Sequence, residues 1–355
     1  MLLYIDFPQW LSPVIIPGLP LRWYGLMYLV AFGLAYVFTN IQLREQRLAV
    51  ARVVTGDDVM NLFFWTILGL LVGSRVFATL IYDTTGRYLA RPWLVFWPFD
   101  DNMNFTGLQG MSYHGGLVGS VVAFVAYCKV KKIDVLEMGD VLITAVPIGY
   151  TFGRIGNFIN GELYGRITSA PWGVRFPNAQ PVPTSHPAVQ AVAEETGIDI
   201  VGQSFVNLPR HPSQLYEAAL EGIVLWAVMW FIFRHRKPFK GFMVGVYLIG
   251  YALARYVAEY FRTPDAGLDF VFQLGPADNP GWLYLSPLNI TTGQVLSLLM
   301  MLAGVLVLFI LRALNRSRHG VETFENGNGG AGGHSTASQH ERNVRRNTRK
   351  KLKRR

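Results

Sequence analysis

The chain has 355 residues, of which 51% are hydrophobic and only 15% are charged, and its mean hydropathy is +0.27. This composition argues against an ordinary soluble domain, and the length suffices for several membrane spans. A single cysteine, Cys128, excludes a disulfide framework, a multi-cysteine zinc site and an iron–sulfur cluster. The first residues, MLLYIDFPQW, carry no positive segment ahead of an apolar run, so we expect no cleavable signal peptide.

The formal net charge of +9 belongs to the C-terminal end of the chain. Residues 312–355 hold 12 Lys and Arg against 3 Asp and Glu, whereas the preceding 311 residues hold 20 of each sign. The body is therefore neutral, and the basic isoelectric point does not indicate a nucleic-acid-binding fold. We expect no nucleic-acid partner.

Seven apolar stretches approach the roughly 20 residues that a helix needs to cross a bilayer. They lie near residues 23–41, 59–82, 112–128, 141–159, 215–233, 242–261 and 291–311. Because every backbone donor and acceptor in lipid must be satisfied within the segment, stretches of this length cross as helices. The sequence predicts an all-α integral membrane protein with about seven transmembrane helices.

Lysine and arginine are distributed unequally between the two sets of loops that these spans define. The set containing residues 44–52, 129–132 and 234–240 and the C-terminal tail holds 22, whereas the other set holds 7. An excess of basic residues marks the cytoplasmic side. We therefore expect a multi-pass membrane protein with the N-terminus outside and the C-terminus in the cytoplasm.

Two segments fall outside the pattern of spans and short loops. Residues 159–214 are too long for a simple connector and predict a small extracytoplasmic subdomain within a membrane domain over 1–317. From about residue 318 the composition turns to Gly, Asn, Ser, His and Arg, which cannot bury a core. We expect 318–355 to be a disordered basic tail that adds weak attraction to anionic membrane lipids.

The fourth span and its exit, PIGYTFGRIGNFINGELYGR, carry the densest group of polar residues near a span. An ionised side chain at the bilayer centre costs roughly 2.5–3.5 kcal/mol on insertion scales, so Arg154 is a functional candidate. If the helix persists, one helical face holds Arg154, Asn157, Phe158, Gly161 and Gly165. Gly149 and Gly153 form a GxxxG pair that permits close helix contact.

Two interpretations of this group are open. A guanidinium and a carboxamide three residues apart, beside glycines that let a ligand approach the backbone, suit a phosphate or a carboxylate. Alternatively, Arg154 pairs with a structural glutamate and the glycines serve helix packing.

The sixth span repeats this pattern on one helical stripe. Its members are Tyr247, Tyr251, Arg255, Glu259 and Arg262. Arg255 and Glu259 are spaced to pair with each other. Two arginines exceed the charge that one glutamate neutralises, which favours a second anion-binding wall facing Arg154, with lipid phosphate as the natural anion at that depth.

His114 opens the third span in SYHGGLVGS. Histidine titrates near neutral pH without large perturbation, so a histidine at the membrane interface suits a proton acceptor. A lone histidine is also commonly a satisfied structural group. The sequence contains no GxSxG elbow, no HExxH motif and no Walker A loop, and nothing in it implies a metal or a cofactor.

Five motifs together resemble one known family, the bacterial prolipoprotein diacylglyceryl transferases. The most specific is GRIGNFINGELYGR at 153–166. The others are WYGLMY at 23–28, HGGL at 114–117, RHPSQLYE at 210–217 and YALARYVAEYFRTPD at 251–265. They follow the family's order and spacing through residues 1 to about 315, and only the tail lies outside the shared pattern.

The resemblance implies a reaction in lipoprotein biosynthesis. Members transfer the sn-1,2-diacylglyceryl group of phosphatidylglycerol to the lipobox cysteine thiol of a preprolipoprotein, and they release glycerol 1-phosphate. Phosphatidylglycerol and preprolipoproteins are therefore the expected partners. Cys128 lies at the cytoplasmic end, so the thiol is expected to come from the substrate.

The resemblance also implies roles for individual residues. Arg154 and Arg255 match the essential arginines that hold the phosphate, and His114 matches the histidine proposed as general base. The remaining matches, which imply contacts to phosphatidylglycerol, are Tyr24, Asn157, Glu162, Gly165, Tyr251 and Glu259, together with the nearby Arg262. Glu259 is expected to orient its arginine.

The identity of the general base and the function of the protein each have open alternatives. The candidates for deprotonating the thiol are His114, Glu162 and the surroundings of the arginine-bound phosphate. A transporter or channel for an anionic solute also needs intramembrane arginines, and a phospholipid headgroup hydrolase needs the same anion site.

Overall fold

The computed structural model describes residues 4–16, 21–46, 54–99, 103–104, 110–264, 270–274 and 279–328. Within these ranges the chain is mostly helical. The helices are α1 (Trp23–Gln46), α2 (Gly56–Leu80), α3 (Arg87–Ala90), α4 (Tyr113–Lys131), α5 (Val135–Ile159), α6 (Pro187–Thr196), α7 (Ser213–Phe233), α8 (Phe242–Ala258) and α9 (Thr292–Asn328). A 3-10 turn follows α3 at Pro92–Phe96.

Short strands tie the loops together. β1 (Ile5–Asp6) pairs in parallel with β2 (Val174–Arg175), and β3 (Val182–Pro183) pairs antiparallel with β4 (Phe205–Val206). A third antiparallel pair joins β5 (Phe270–Phe272) to β6 (Ile290–Thr291).

Six of the described helices are long and apolar enough to cross a membrane, namely α1, α2, α4, α5, α7 and α9. The apolar helix α8 has only 17 residues. At 1.5 Å per residue it spans about 26 Å, which is slightly less than the hydrocarbon thickness. The predicted helical, multi-span membrane protein is confirmed, and the predicted number of seven spans is approximate.

Ion pairs join the basic loops at one end of the helices, which we call the basic end. Arg234, after α7, pairs with Glu45 of α1 at 2.8 Å. Lys240, before α8, pairs with Asp134, the cap of α5, also at 2.8 Å. Three of the loops in which the sequence concentrates Lys and Arg therefore meet, as expected for helices that alternate in direction.

Helix α5 is the axis on which the neighbouring helices are assembled. It contacts α1, α4, α7 and α8. The buried Asp140 of α5 also caps α8, because its carboxylate accepts hydrogen bonds from the backbone N–H groups of Gly241 at 2.9 Å and Met243 at 2.8 Å. This cap sets the position of α8 relative to α5, and with it the position of Arg255 relative to Arg154.

The closest helix contact uses glycines that the sequence analysis did not single out. Cβ atoms added at Gly69 and Gly73 of α2, or at Gly115 and Gly119 of α4, would overlap the facing helix. Small residues of this kind allow two backbones to touch within a membrane. The predicted GxxxG pair makes no such close contact. A Cβ added at Gly149 would lie at ordinary van der Waals distance from Ala31, and one added at Gly153 would have nothing within 4 Å.

Residues 160–212 form a small layer between α5 and α7. Its core contains Ile167, Val182, Val189, Val206 and Leu208, all of them buried. The parallel pairing of β1 with β2 attaches residues 5–6 to this layer. The layer lies at the end of α5 that carries the GRIGNFINGELYGR motif, opposite the basic end.

The chain divides into two compact units, residues 1–308 and 309–355. Of the second unit, the structure describes the continuation of α9 to Asn328. The expected disordered tail over 318–355 stays a prediction. Residues 329–355 lie outside the described part of the chain.

We predict that Gly119→Val lowers the thermal stability of the protein in detergent. The new side chain would overlap Gly69 and Gly73 of α2 and force the two helices apart. Overpacking of this kind costs about 1–3 kcal/mol, and more where the obstacle is backbone. Gly33→Ala is the matched control, because nothing lies within 4 Å of an added Cβ at Gly33. Equal unfolding temperatures for the two variants would contradict the predicted role of the glycine contact.

Candidate active site

Arg154 lies in the last turns of α5, where its guanidinium is held by α5 and α7. Its Nε donates to the Tyr150 hydroxyl at 2.6 Å, and its Nη2 lies 3.1 Å from Oε2 of Glu217. The guanidinium also packs over the Tyr150 ring, with 4.8 Å from Cζ to the ring centroid. The side chain of Arg154 is 16% exposed, whereas Glu217 is fully buried.

Arg255 of α8 meets the same carboxylate from the other side. Its Nη1 donates to Oε2 of Glu217 at 2.9 Å and lies 3.7 Å from Oε1 of Glu221. Its Nη2 pairs with Oε2 of Glu259 at 2.9 Å. The sequence prediction that Arg154 and Arg255 face each other therefore agrees with the geometry, and the two arginines meet through the carboxylate of Glu217.

Glu259 is held at the start of α9. It caps α8, and its Oε1 accepts from the Thr291 hydroxyl at 3.3 Å. A Cβ added at Gly293 would overlap this carboxylate, so Glu259 packs directly against the first turn of α9. The partial positive charge of a helix N-terminus favours a carboxylate there. Glu259 thus stands between Arg255 and α9, as expected for a group that orients its arginine.

Three members of this cluster were missed from the sequence. Tyr150 accepts from Arg154 and donates to Oε2 of Glu221 at 2.7 Å, and Glu217 and Glu221 are both fully buried on α7. Their signal was present: two carboxylates four residues apart at the start of an apolar span lie on one helical face. Both lie within the predicted span 215–233 and were not considered as partners for the arginines.

The predicted helical faces end earlier than expected. α5 stops at Ile159, because Gly161 and Leu163 adopt left-handed backbone angles with φ of 66° and 55°. Gly161 and Gly165 therefore do not share a helical face with Arg154. α8 likewise stops at Ala258, so Arg262 is not on the helical stripe of Tyr247, Tyr251 and Arg255.

The loop after α5 is held by side-chain amides. The carboxylate of Glu162 accepts from Asn157 at 2.9 Å and from Asn160 at 3.2 Å, and the backbone carbonyl of Glu162 accepts from Gln214 of α7 at 2.7 Å. Asn157 is buried, whereas Glu162 is exposed. The structure therefore places Asn157 and Glu162 together, next to the turn of α5 that carries Arg154.

Gly165 is where three chain segments meet. Its N–H donates to the carbonyl of His211 at 2.9 Å, and it forms an antiparallel bridge with Arg262. A Cβ at position 165 would overlap the carbonyl oxygens of His211 and Phe261. Only glycine fits, and the close packing connects the segment after α5 to the ends of α7 and α8.

Tyr24 and Tyr251 occupy different sides of the cluster. The Tyr24 hydroxyl accepts from Tyr28 at 3.1 Å, and the Tyr24 ring packs against Gly156 of α5. The Tyr251 ring meets the Tyr150 ring edge to face, with 5.8 Å between centroids. Both tyrosines therefore line α5 near Arg154.

His114 lies at the start of α4 and contacts a different set of residues. Its Nδ1 is 2.9 Å from the hydroxyl of Tyr82, which follows α2, and its ring meets that of Tyr113. Among the described residues His114 makes no hydrogen bond to the arginine cluster. A tyrosine hydroxyl can donate or accept, so this contact orients the His114 ring with either tautomer.

The arrangement concentrates charge-assisted hydrogen bonds at the end of the bundle opposite the basic loops. Two guanidinium groups converge from separate helices, each with donors aimed at an oxygen, and they are desolvated enough for charge-assisted hydrogen bonds to be strong. Within the described residues there is no group of three or more His, Cys, Asp and Glu side chains positioned to hold a metal ion.

Comparison with known proteins assigns the chain to a family. A sequence model described as prolipoprotein diacylglyceryl transferase matches residues 13–310. The phosphatidylglycerol–prolipoprotein diacylglyceryl transferase of Treponema denticola is 47% identical over 324 residues, which cover 88% of this chain and 95% of that protein. The chain belongs to the prolipoprotein diacylglyceryl transferase family.

Two further proteins of the same name support this membership. The protein of Treponema pallidum is 46% identical over 325 residues, which cover 89% of this chain and 97% of that protein. The protein of Chlorobaculum tepidum is 38% identical over 316 residues, which cover 86% of this chain and 93% of that protein. The resemblance inferred from the motifs is confirmed.

In this member of the prolipoprotein diacylglyceryl transferase family, all five motifs lie at helix ends. WYGLMY begins α1, HGGL begins α4 and RHPSQLYE precedes and begins α7, whereas GRIGNFINGELYGR and YALARYVAEYFRTPD contain the ends of α5 and α8. Because the helices alternate in direction, these five ends lie on the same side of the bundle. The candidate active site is therefore formed at the end opposite the basic loops.

We predict that His211 makes the stability of this transferase depend on pH. Burial and the neighbouring Arg166 guanidinium lower the pKa of His211 from 6.5 to about 4. The unfolded chain therefore takes up a proton below about pH 6.5 that the folded protein refuses until about pH 4. Stability is full above pH 6.5 and falls as the pH is lowered through this window, by on the order of 3 kcal/mol at most.

The test is the unfolding temperature in detergent between pH 7.5 and pH 4.5 for the wild type and for His211→Gln. The variant is expected to lose less stability on acidification, whereas His235→Gln, at an exposed histidine of the basic end, should follow the wild type. Identical profiles for all three proteins would show that His211 is not the responsible group.

Proposed function

We propose that this protein transfers the sn-1,2-diacylglyceryl group of phosphatidylglycerol to the lipobox cysteine thiol of preprolipoproteins. The products are a thioether-linked diacylglyceryl cysteine and glycerol 1-phosphate. Family membership and the names of the relatives support this assignment. The main structural observation in its favour is that Arg154 and Arg255 converge on the buried carboxylate of Glu217, at the end of the bundle opposite the basic loops.

Membrane orientation follows from the basic residues. The loops joined by the ion pairs Arg234–Glu45 and Lys240–Asp134 are the cytoplasmic ones by the positive-inside rule. The N-terminus and the candidate active site then lie on the outer side of the bacterial inner membrane, and the C-terminus lies in the cytoplasm.

In the proposed reaction the thiolate attacks C3 of the diacylglyceryl moiety. A C–S bond forms, the C3–O bond breaks, and its electron pair goes to the phosphate oxygen. The phosphate changes from a monoanionic diester to a monoester that reaches a second negative charge. Arg154 and Arg255 stabilise this growing charge, which lowers the barrier because the interaction is stronger in the transition state than in the ground state.

His114 is the proposed acceptor of the thiol proton. The Tyr82 hydroxyl at 2.9 Å holds Nδ1, which leaves Nε2 available to the incoming cysteine if Nδ1 carries the proton. Glu162 is the competing candidate, since its carboxylate is exposed at the loop after α5. Tyr24, Asn157, Gly165, Tyr251, Glu259 and Arg262 are proposed to shape the phosphatidylglycerol site around the two arginines.

The direct test incubates purified protein with phosphatidylglycerol and a lipobox peptide, and it reads the peptide mass. A diacylglyceryl mass increase is expected for the wild type. Arg154→Ala and Arg255→Ala are each expected to lower the transfer rate by about 10²–10³-fold, the usual effect of removing one charge-stabilising donor. Arg44→Ala, at an exposed arginine of the basic end, is the matched control and should keep the wild-type rate.

The same assay separates the alternative functions. Glycerol phosphate released without a peptide mass increase would indicate a headgroup hydrolase. If neither glycerol phosphate nor a peptide mass increase is found, a transporter of an anionic solute is favoured. Near-normal transfer by both arginine variants would contradict the proposed site.

Replacing the one cysteine of the chain tests the source of the thiol. Cys128 is fully buried among Val59, Leu62 and Tyr127 near the basic end, away from the arginine cluster. Cys128→Ser is therefore expected to transfer at a rate within about twofold of the wild type, because the substitution changes one atom at a position away from the arginine cluster. An inactive but folded variant would point to an enzyme-borne thiol intermediate.

A further inference from the structure

One carboxylate oxygen joins the two arginines. Oε2 of Glu217 lies 3.1 Å from Nη2 of Arg154 and 2.9 Å from Nη1 of Arg255, and it is 3.4 Å from the Tyr150 hydroxyl. Groups from α5 and α8 thus meet on a single atom of α7. The two guanidinium nitrogens can be no farther apart than the sum of their distances to that atom, which is within reach of one phosphate group.

Glu217 is fixed more firmly than an ordinary surface ion pair would be. Its side chain is fully buried, and its second oxygen, Oε1, has no hydrogen-bond partner among the described residues. A carboxylate kept in this state has its orientation determined entirely by the two arginines and Tyr150. Removal of one member of a buried charge group leaves the others uncompensated, which is why such groups are strongly coupled.

The register of α7 against α5 is set next to Glu217. A Cβ added at Gly222 would overlap the side chain of Thr151, so the two helices are in direct contact one turn from Glu217. Between these points α7 widens into π-helical turns over Ala218–Val224. Such turns are frequent at functional sites, where they redirect a side chain without ending the helix. Here both Glu217 and Glu221 face the cluster.

A second carboxylate supports the arrangement through Tyr150. The Tyr150 hydroxyl accepts from Arg154 and donates to Glu221, and Glu221 in turn lies near Arg255. Glu259 pairs with Nη2 of Arg255. Among the described residues Arg154 forms its ion pair with Glu217, so the position of Arg154 relative to Arg255 depends on that residue more than on the other two carboxylates.

We propose that Glu217 is the positioning residue that brings Arg154 and Arg255 to one point, and that this convergence determines how well the pair stabilises the departing phosphate. Without Glu217 the two like charges repel and separate, and each guanidinium would contact the phosphate independently. This inference rests on the proposed transferase function. It assigns to Glu217 an effect exerted through the arginines, without contact to the reacting atoms.

The test is a double-mutant cycle in the lipobox peptide assay. Glu217→Gln, Arg154→Lys and the double variant are compared with the wild type for kcat and for KM of phosphatidylglycerol. Glu217→Gln is expected to lower kcat on the order of 100-fold, the effect of displacing a catalytic group by about 1 Å, with a smaller change in KM. Arg154→Lys is expected to cost much less in the Glu217→Gln background than in the wild type, because residues that act as a unit are not additive.

Two controls accompany the cycle. Glu45→Gln makes the same substitution in the Arg234 ion pair of the basic end and should leave kcat unchanged. Glu217→Asp keeps the charge but shortens the side chain, so it is expected to recover part of the lost kcat while reaching only one arginine well. If Glu217→Gln does not fold, the cycle is run with Glu217→Asp, and thermal unfolding confirms that each compared variant is folded.

The outcomes are separable. Two results would overturn the positioning role: additive losses in the cycle, or a folded Glu217 variant whose kcat is within about threefold of the wild type. In either case, transfer by the wild type would still support the proposed function. A wild type that transfers no diacylglyceryl group overturns both. Loss of kcat with clear non-additivity, in variants that thermal unfolding shows to be folded, supports the role of Glu217.

Discussion

Burial of two arginines near a membrane surface is the constraint on which the rest of the site depends. A desolvated guanidinium is stable only with carboxylates and hydroxyls around it, and here Glu217, Glu221, Glu259 and Tyr150 supply them from three helices. These partners cancel most of the cost and hold both guanidinium groups in one orientation. In the proposed reaction, the same preorganisation that stabilises the fold prepares the arginines for a phosphate whose charge grows.

The scaffold achieves this precision with a few close contacts at defined points. Asp140 caps α8 from α5, Gly222 lets α7 touch α5, and the first turn of α9 holds Glu259. Gly165 connects the loop after α5 to the segments beside α7 and α8. Each contact joins elements that are distant in sequence, so the position of the two arginines is a property of the whole bundle.

Much of the site was accessible from the sequence, but not its internal connections. Arg154 and Arg255 stood out because charge is rare in apolar spans, and the motifs around them led to the correct family. Glu217 and Glu221 were overlooked because hydropathy reports them only as a weak start of a span. The extent of the helical faces was also overestimated, since the three- and four-residue spacing of the motif residues continues beyond Ile159 and Ala258 while the backbone turns away.

The sequence by itself determined the helical membrane class, the position of the spans, the concentration of basic residues in one set of loops and the family. These are local properties, because a backbone in lipid must satisfy its own hydrogen bonds and apolar length follows directly from composition. Only the tertiary structure decided which carboxylates face Arg154 and Arg255, that the close glycine contact joins α2 to α4, and that His114 is held by Tyr82. Those pairings depend on the rotation and register of packed helices, which distant contacts set and no local pattern encodes.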